Sequence, residues 1–278
     1  IIELGPGDGS LTKILLKVFK RFPEFDNAKK IYLYEISGFL KNLQKKNIKS
    51  SKVKWINNFK NINTGPVVFF GNEFFDAMPI KQFKNEKGFF FEKYYVLNKN
   101  NNIKEIFKKA SIKDTSSINS YKSIKKLKFI EFPKYGFKEL KKIIKKISQV
   151  KGCLLLIDYG YLNPRNHSTL QSVMRHKKND LLNNLGEADV TYHVNFKLLT
   201  EFLIKNNLKV EKIISQQRFL KNMGIINRAE IIGRKMKFKE QSNMYLRLKR
   251  LLSPNLMGEL FKVALAYKLK TGKFFGFN

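Results

Sequence analysis

The amino-acid sequence predicts an α/β protein: an open, doubly wound, mostly parallel sheet with an insertion after its fourth strand. Three observations carry that expectation. Apolar runs alternate along the chain with amphipathic stretches of helical period. The apolar runs are continuous, as strands covered on both faces should be. The first run also ends in a glycine-rich turn that leads straight into a helix.

The elements follow in order. Ile1–Leu4 reads as a strand and Leu11–Phe22 as a helix, with Leu11, Ile14, Leu15, Val18 and Phe19 on one face. Ile31–Glu35 is a second strand, followed by a short helix over Gly38–Lys46. Val53–Ile56 and Pro66–Gly71 are the third and fourth strands. From about Lys84 to Leu127 the pattern changes. Phe89–Leu97 is aromatic and strand-like, Asn98–Asn102 reads as a turn, and the Lys/Ser-rich stretch beyond reads as mobile. Helix resumes over Tyr135–Ser148, and Gly152–Asp158 is the most apolar strand. Two further strands, Val210–Ile214 and Phe261–Tyr267, flank helix from about Phe219 to Leu252. The expected organisation is one domain over 1–278, with a hairpin-containing insertion at 84–127. A substrate-side loop region covers 161–200, and 208–278 completes the sheet. The chain begins at Ile1 inside a strand, which reads as a fragment without its natural N-terminus, so a targeting peptide is not assessable.

Composition narrows the function classes. The 278 residues include 55 Lys+Arg against 22 Asp+Glu, a formal net charge of +33. Such a balance first suggests nucleic acid or an anionic membrane. Only 8 of the 55 are Arg, however, leaving 55 − 8 = 47 Lys, alongside abundant Asn, Ile and Phe. Arg is the residue suited to bidentate phosphate and base contacts, so most of the lysines read as a solvated coat and no nucleic-acid partner is expected. No apolar run is long enough to span a bilayer. One cysteine, Cys153, excludes a disulfide framework. Three separated histidines, His167, His176 and His193, do not suggest a metal site, and none is expected.

Five segments carry candidate chemistry. The first is Glu3-Leu4-Gly5-Pro6-Gly7-Asp8-Gly9, where glycines let the backbone approach a ligand and turn into a helix N-terminus. A dinucleotide fingerprint would place its third glycine at Ser10, so the spacing is not that one. Glu3 suits a cationic amino-acid ligand better than a pyrophosphate. The run resembles the E-x-G-x-G-x-G pattern of S-adenosylmethionine-dependent methyltransferases, and a tight structural turn is the plainer alternative. The second is Glu35, whose place at a strand tip suits a pair of ribose hydroxyls, with Asn57 after the third strand as an adenine contact or a plain loop amide.

The third segment is Gly71-Asn72-Glu73-Phe74-Phe75-Asp76-Ala77-Met78-Pro79, closing the fourth strand. Two carboxylates between paired aromatics could hold a cation by charge and by ring-face contact. A helix start capped by Asn72 or Asp76 is the plainer alternative. The fourth is Asp158-Tyr159-Gly160-Tyr161, and the fifth runs from Ser168 through His176 to Phe196. For any single polar residue in such loops, hydrogen-bonded support is the plainer role.

Taken together, ELGPGDGSL at 3–11, NEFFDAMPIKQF at 72–83, CLLLIDYG at 153–160, GEADVTYHVNF at 186–196 and FLKNMGI at 219–225 resemble the MidA-type protein arginine methyltransferases. That family includes the mitochondrial arginine methyltransferase of respiratory complex I assembly. The resemblance implies a Rossmann-like class I methyltransferase fold with S-adenosylmethionine as donor. It also implies symmetric dimethylation of an arginine on the 49-kDa-type complex I subunit, the expected protein partner. Glu3, Gly5, Pro6, Gly7, Gly9, Glu35, Asn57 and Asn72 then become cofactor-binding candidates. Glu73, Asp76 and Asp158 become candidates for gripping the substrate guanidinium, with His193 orienting it or taking its proton. The chain departs from the family in Asn57, where an acid is usual, in Asn195 within His193-Val194-Asn195-Phe196, where HVDF is usual, and in the absent N-terminal segment. Alternatives are a methyltransferase for RNA or a small molecule and a non-catalytic assembly chaperone. Expected localisation is a bacterial cytoplasm, preferred over a mitochondrial matrix. The oligomeric state is open, with a homodimer among the options.

Overall fold

The computed structural model describes residues 1–99, 102–175, 177–268 and 274–277. His176 and residues 100–101 of the expected Asn98–Asn102 turn lie outside the described residues. From the amino end come β1 (Ile2–Leu4), α1 (Ser10–Phe19), α2 (Pro23–Ala28), β2 (Ile31–Tyr34), α3 (Gly38–Ile48), β3 (Val53–Ile56) and β4 (Val67–Asn72). Next are β5 (Lys81–Glu86), β6 (Phe89–Leu97), β7 (Ile103–Lys109), α4 (Ile112–Asn119), β8 (Phe129–Phe132), α5 (Lys134–Val150) and β9 (Gly152–Tyr161). Then follow β10 (Gln171–Met174), β11 (Lys177–Asn179), β12 (Asp189–Thr191), β13 (Val194–Asn195) and α6 (Phe196–Lys205). The chain ends with β14 (Lys209–Val210), β15 (Ile214–Ser215), α7 (Gln216–Asn222), α8 (Ile225–Gly233), α9 (Phe238–Leu252), a π-helical turn (Pro254–Gly258) and β16 (Phe261–Lys268).

The elements fall into two compact units, Ile1–Phe75 with Lys142–Tyr159 and Asn207–Asn278, and Asp76–Lys141 with Gly160–Asn206. The first unit carries the main sheet, in the order β14-β16-β9-β4-β1-β2-β3. Strands β3, β2, β1, β4 and β9 run parallel, and β16 is antiparallel to β9 over eight residue pairs. The order reverses beside β1: the chain winds outward through β2 and β3, then returns to β4 on the other side. In such sheets a crevice opens beyond the carboxyl ends of the strands at the reversal. Ile2, Leu4, Leu33, Phe69, Leu154 and Val263 are buried at its centre, but β4 and β9 alternate between buried and more exposed residues, with Val68 39% exposed, so the coverage of both faces expected from continuous apolar runs is not complete.

The second unit is built differently. It holds an antiparallel sheet, β7-β6-β5-β8, and a smaller one, β11-β10-β12. Phe83, Ile118, Ile124, Ile130, Phe196 and Phe202 form its buried interior. Phe137 stacks on Phe202 with ring centroids 3.9 Å apart and planes 10° from parallel. Truncating such a ring to Ala costs about 3–5 kcal/mol.

Several expected elements change. The helix expected over Leu11–Phe22 stops at Phe19, and α2 starts separately at Pro23, because proline can open a helix but cannot continue one. The Lys/Ser-rich stretch read as mobile forms β7 and α4, with Ser111 capping α4 by accepting from Asp114 N at 3.1 Å. On β7 every residue but Ile106 is exposed, so no buried face imprinted a period on its sequence. The strand expected over Val210–Ile214 is two short pieces, β14 and β15, each paired with β16. Residues 161–200, read as loops, hold β10 to β13 and the start of α6.

Candidate functional site

The carboxyl ends of β1, β2, β3, β4 and β9 lie along one edge of the parallel part of the main sheet, because those strands run the same way. That edge carries Gly5 to Gly9, Glu35, Asn57, Glu73 and Asp158 in the first unit. The candidates Asp76 and His193 belong to the second unit.

After β1 the backbone turns sharply. Gly5, Gly7 and Gly9 all have positive φ, at 59°, 55° and 82°, a region costly for residues with a side chain. A Cβ at Gly9 would come within 2.9 Å of Ile48 and one at Gly5 within 3.1 Å of Phe74, whereas one at Gly7 would meet nothing within 4 Å. Gly5 and Gly9 are thus constrained by packing, and Gly7 faces open space. Pro6 is buried, and its carbonyl accepts from Gly9 N at 2.8 Å to close the turn. Glu3 is only 4% exposed and accepts a hydrogen bond from the Thr12 hydroxyl on α1. Burial pushes its carboxyl up to about 7, against the lowering effect of Thr12, and the Asp8 charge adds to the rise. Among the described residues, then, no cation pairs with the buried Glu3 carboxyl.

At the end of β2, Glu35 is also buried. Its Oε1 accepts from Ile36 N at 2.8 Å and Ser37 N at 2.9 Å, and its Oε2 from Gln44 Nε2 at 3.1 Å. Gln44, fully buried on α3, also donates to Gly7 O at 2.8 Å and accepts from Trp55 Nε1 at 2.9 Å. Sequence reasoning passed over both Gln44 and Thr12. Both are buried polar residues whose partners come from other segments, so no local pattern in the sequence marks them. Asn57, just beyond β3, is exposed and accepts from Asn58 Nδ2 at 2.8 Å.

The end of β4 is arranged otherwise. Glu73 is exposed, with φ at 51° in the left-handed region, and its N–H donates to Ile157 O at 2.9 Å. Left-handed backbone at a non-glycine residue costs on the order of 1 kcal/mol or more and clusters at functional sites. Exposed Asn72 donates to Glu73 Oε1 at 3.2 Å. No helix begins here: residues 73–80 form turns and bends, so neither Asn72 nor Asp76 is a cap. The expected aromatic wall is absent too. Phe74 and Phe75 are 8% and 1% exposed and belong to the core, with Phe74 against Gly5 and Gly71. Asp158, 1% exposed, accepts from Phe75 N at 2.9 Å and Tyr159 N at 3.0 Å, so it ties the end of β9 to the β4 turn.

In the second unit Asp76 is buried, and its carbonyl accepts from Tyr192 N at 3.2 Å. His193 N donates to Thr169 Oγ1 at 3.0 Å. Burial, followed by the Arg165 charge, lowers the His193 imidazole below its ordinary value against the opposing Glu131 charge, so the ring is neutral at pH 7. Glu131, unnoticed in the sequence, is 7% exposed and accepts from Gln82 Nε2 and Thr169 N, each at 2.9 Å, and from the Thr169 hydroxyl. Asn195 caps α6 by accepting from Leu198 N at 3.1 Å, a task Asn performs as well as Asp. Among the described residues no His, Cys, Asp and Glu cluster could hold a metal, and no helix is long and apolar enough to cross a membrane.

A Rossmann-like sheet with a glycine turn after β1 and a carboxylate at the tip of β2 is the class I methyltransferase fold. Two solved structures of a COG1565 superfamily protein from Burkholderia thailandensis, one bound to S-adenosyl-homocysteine and one native, have TM-scores of 0.82 and 0.83. Both are 20% identical and cover 99% of this chain, against 73% and 75% of theirs. The family model described as "Putative S-adenosyl-L-methionine-dependent methyltransferase" matches residues 1–214. The chain belongs to that family. Curated relatives named protein arginine methyltransferase NDUFAF7 or its homolog, mitochondrial, include those of Caenorhabditis elegans, 27% identical, and Danio rerio, 24%. Each match covers 94% of this chain but only 66% and 67% of the relative, so the chain spans about two-thirds of their length.

S-adenosylmethionine is the cofactor of this family, and the residues present fit it. Gly7 leaves room where a Cβ would project, the buried Glu3 carboxyl pairs with no cation among the described residues, and Glu35 is oriented at the tip of β2.

Proposed function

We propose that the protein is a protein arginine N-methyltransferase that dimethylates an arginine symmetrically on the 49-kDa-type subunit of respiratory complex I, in support of complex I assembly. The observation that carries this reading is Glu73, an exposed carboxylate at the end of β4 on a left-handed backbone. The names of the curated relatives supply the substrate class.

S-adenosylmethionine, when bound, supplies an electrophilic methyl group on a sulfonium. The chain's residues then bind and orient. Glu3 pairs with an ammonium, Glu35 accepts from ribose hydroxyls, and the Gly5–Gly9 backbone and Asn57 line the remainder, with Asn72 steadying Glu73. Arginine stays protonated in proteins, so its nitrogen lone pairs are delocalised and unreactive. A carboxylate gripping one edge of the guanidinium draws the positive charge toward that edge and orients the opposite nitrogen. Glu73 is assigned that grip. Asp158 acts as a positioning residue by holding Phe75 N. The alkylated nitrogen must also lose a proton. The compartment is the mitochondrial matrix in a eukaryote and the cytoplasm in a bacterium.

Incubating the protein with isotope-labelled donor, the 49-kDa-type subunit and bulk RNA, followed by mass spectrometry, tests the reading. Symmetric dimethylarginine on the subunit is expected. Label in RNA alone would overturn the protein-substrate reading. Retained cofactor binding with no label anywhere would favour a non-catalytic chaperone.

A further inference from the structure

Gln44 belongs to none of the segments singled out in the sequence, yet its side chain touches the glycine turn, Glu35 and Trp55 of β3. Its amide orientation follows from chemistry alone. The indole N–H of Trp55 can only donate, so it faces Gln44 Oε1 at 2.9 Å. A carbonyl and a carboxylate can only accept, so Gly7 O and Glu35 Oε2 face Gln44 Nε2, at 2.8 and 3.1 Å. Both amide hydrogens are used, and the side chain is fully shielded from water. Its stem also lies where a Cβ on Gly9 would touch it, at 3.4 Å, so α3 and the glycine turn constrain each other.

The consequence concerns the Glu35 carboxylate. Two backbone N–H groups, Ile36 and Ser37, fix Oε1, and among the described residues Gln44 is the side chain that holds Oε2. A carboxylate offers roughly four acceptor directions, so Oε2 keeps one for a further donor. Which way that direction points is set by the Gln44 bond. We infer that Gln44 is a positioning residue that aims Glu35 at the 2′-hydroxyl of a nucleoside ligand and links that carboxylate to the glycine turn, with Trp55, the only tryptophan in the chain, as its built-in reporter. This rests on the cofactor reading above.

The test uses the whole chain, with S-adenosylhomocysteine and its 2′-deoxy analogue as probes in calorimetry. Wild-type protein binds the parent about tenfold or more tighter than the analogue, as expected when one buried hydrogen bond to a charged group is lost. In Gln44→Leu that ratio falls to about two or below, because Glu35 is no longer aimed; a weakening of both probes by one common factor would reduce Gln44 to a structural residue and overturn the inference. Gln44→Glu covers the case in which the leucine variant fails to fold. Its introduced carboxyl repels Glu35 when ionised and donates when protonated, so its ribose discrimination recovers as pH falls, and a discrimination that stays flat with pH would also overturn the inference. In wild-type protein, Trp55 emission shifts on titration with the parent probe and saturates at the calorimetric Kd; an unchanged emission on binding would count against the link. Failure of wild-type protein to bind the parent at all would overturn the cofactor reading itself, and with it this one. Binding with discrimination preserved in Gln44→Leu would overturn this inference alone.

Discussion

Two stretches of the same sheet edge contrast sharply. At the ends of β1 and β2 the carboxylates are buried and held: Glu3 by Thr12, and Glu35 by Ile36 N, Ser37 N and Gln44. At the end of β4 the carboxylate is exposed and its backbone strained, with Glu73 at a φ of 51°. A ligand used in every cycle favours a site built in advance, since ordering loops at each binding event costs affinity. A group that must grip and release an exchangeable cation is better left at the surface. The difference teaches that one sheet edge carries both preorganised, buried carboxylates and an exposed, conformationally strained one, and the proposed function divides binding and reaction between them.

The contrast can be broken most severely at Glu73. Glu73→Gln keeps the side-chain volume but removes the charge; methyl transfer should fall by about a thousandfold, in the range for losing one preorganised electrostatic contact, while S-adenosylhomocysteine affinity in calorimetry stays within about twofold. Full activity in this variant would remove Glu73 from the reaction.

Next in size is Gly7→Val. Its Cβ meets nothing in the protein, so the fold should persist apart from the backbone cost of positive φ. The side chain instead enters the space assigned to cofactor, and affinity should drop by about a hundredfold, or roughly 2.7 kcal/mol. Unchanged affinity would detach the glycine turn from the ligand.

A smaller effect sharpens the binding side. Glu3 carries a folded-state value of about 7 against an ordinary 4.5. A cation beside it favours the ionised form, so binding releases a proton from Glu3 below pH 7. Affinity should therefore rise with pH between about 5 and 7, by up to tenfold per unit, and level off above. Glu3→Gln should flatten that profile. The linkage also acts on stability. A raised carboxyl contributes stability fully below pH 4.5 and loses it as pH rises through 7, so the cofactor-free protein should be more stable at pH 5 than at pH 8 in urea unfolding.

The smallest effect is Glu73→Gly. It relieves the left-handed backbone and should raise unfolding free energy by about 1 kcal/mol, while abolishing transfer. A loss of stability would show that the Glu73 side chain supports the fold.

Much of this was legible beforehand because it is local. Continuous apolar runs announced β1, β2, β4 and β9, and glycine at alternate positions after Glu3 announced a turn no side chain could make. Other features depended on distant partners. Nothing local marks Gln44 or Glu131 as network centres, since their donors and acceptors come from other segments. Paired phenylalanines at 74 and 75 look the same in sequence whether they line a pocket or fill a core, and the structure places them in the core. β7, exposed almost throughout and mixing charged with apolar residues, carries no buried face and so no period to read.

The sequence by itself determined the class of sheet, the order of its strands' chemistry and the residue types at each carboxyl end, because hydrophobic period and glycine spacing are properties of neighbouring residues. Tertiary structure alone decided which acids are buried and held and which is exposed and strained. It also gathered Asp76–Lys141 with Gly160–Asn206 into a second unit. Burial, hydrogen-bond partnership and positive φ at a non-glycine residue arise from segments far apart in the chain, and no local pattern encodes them.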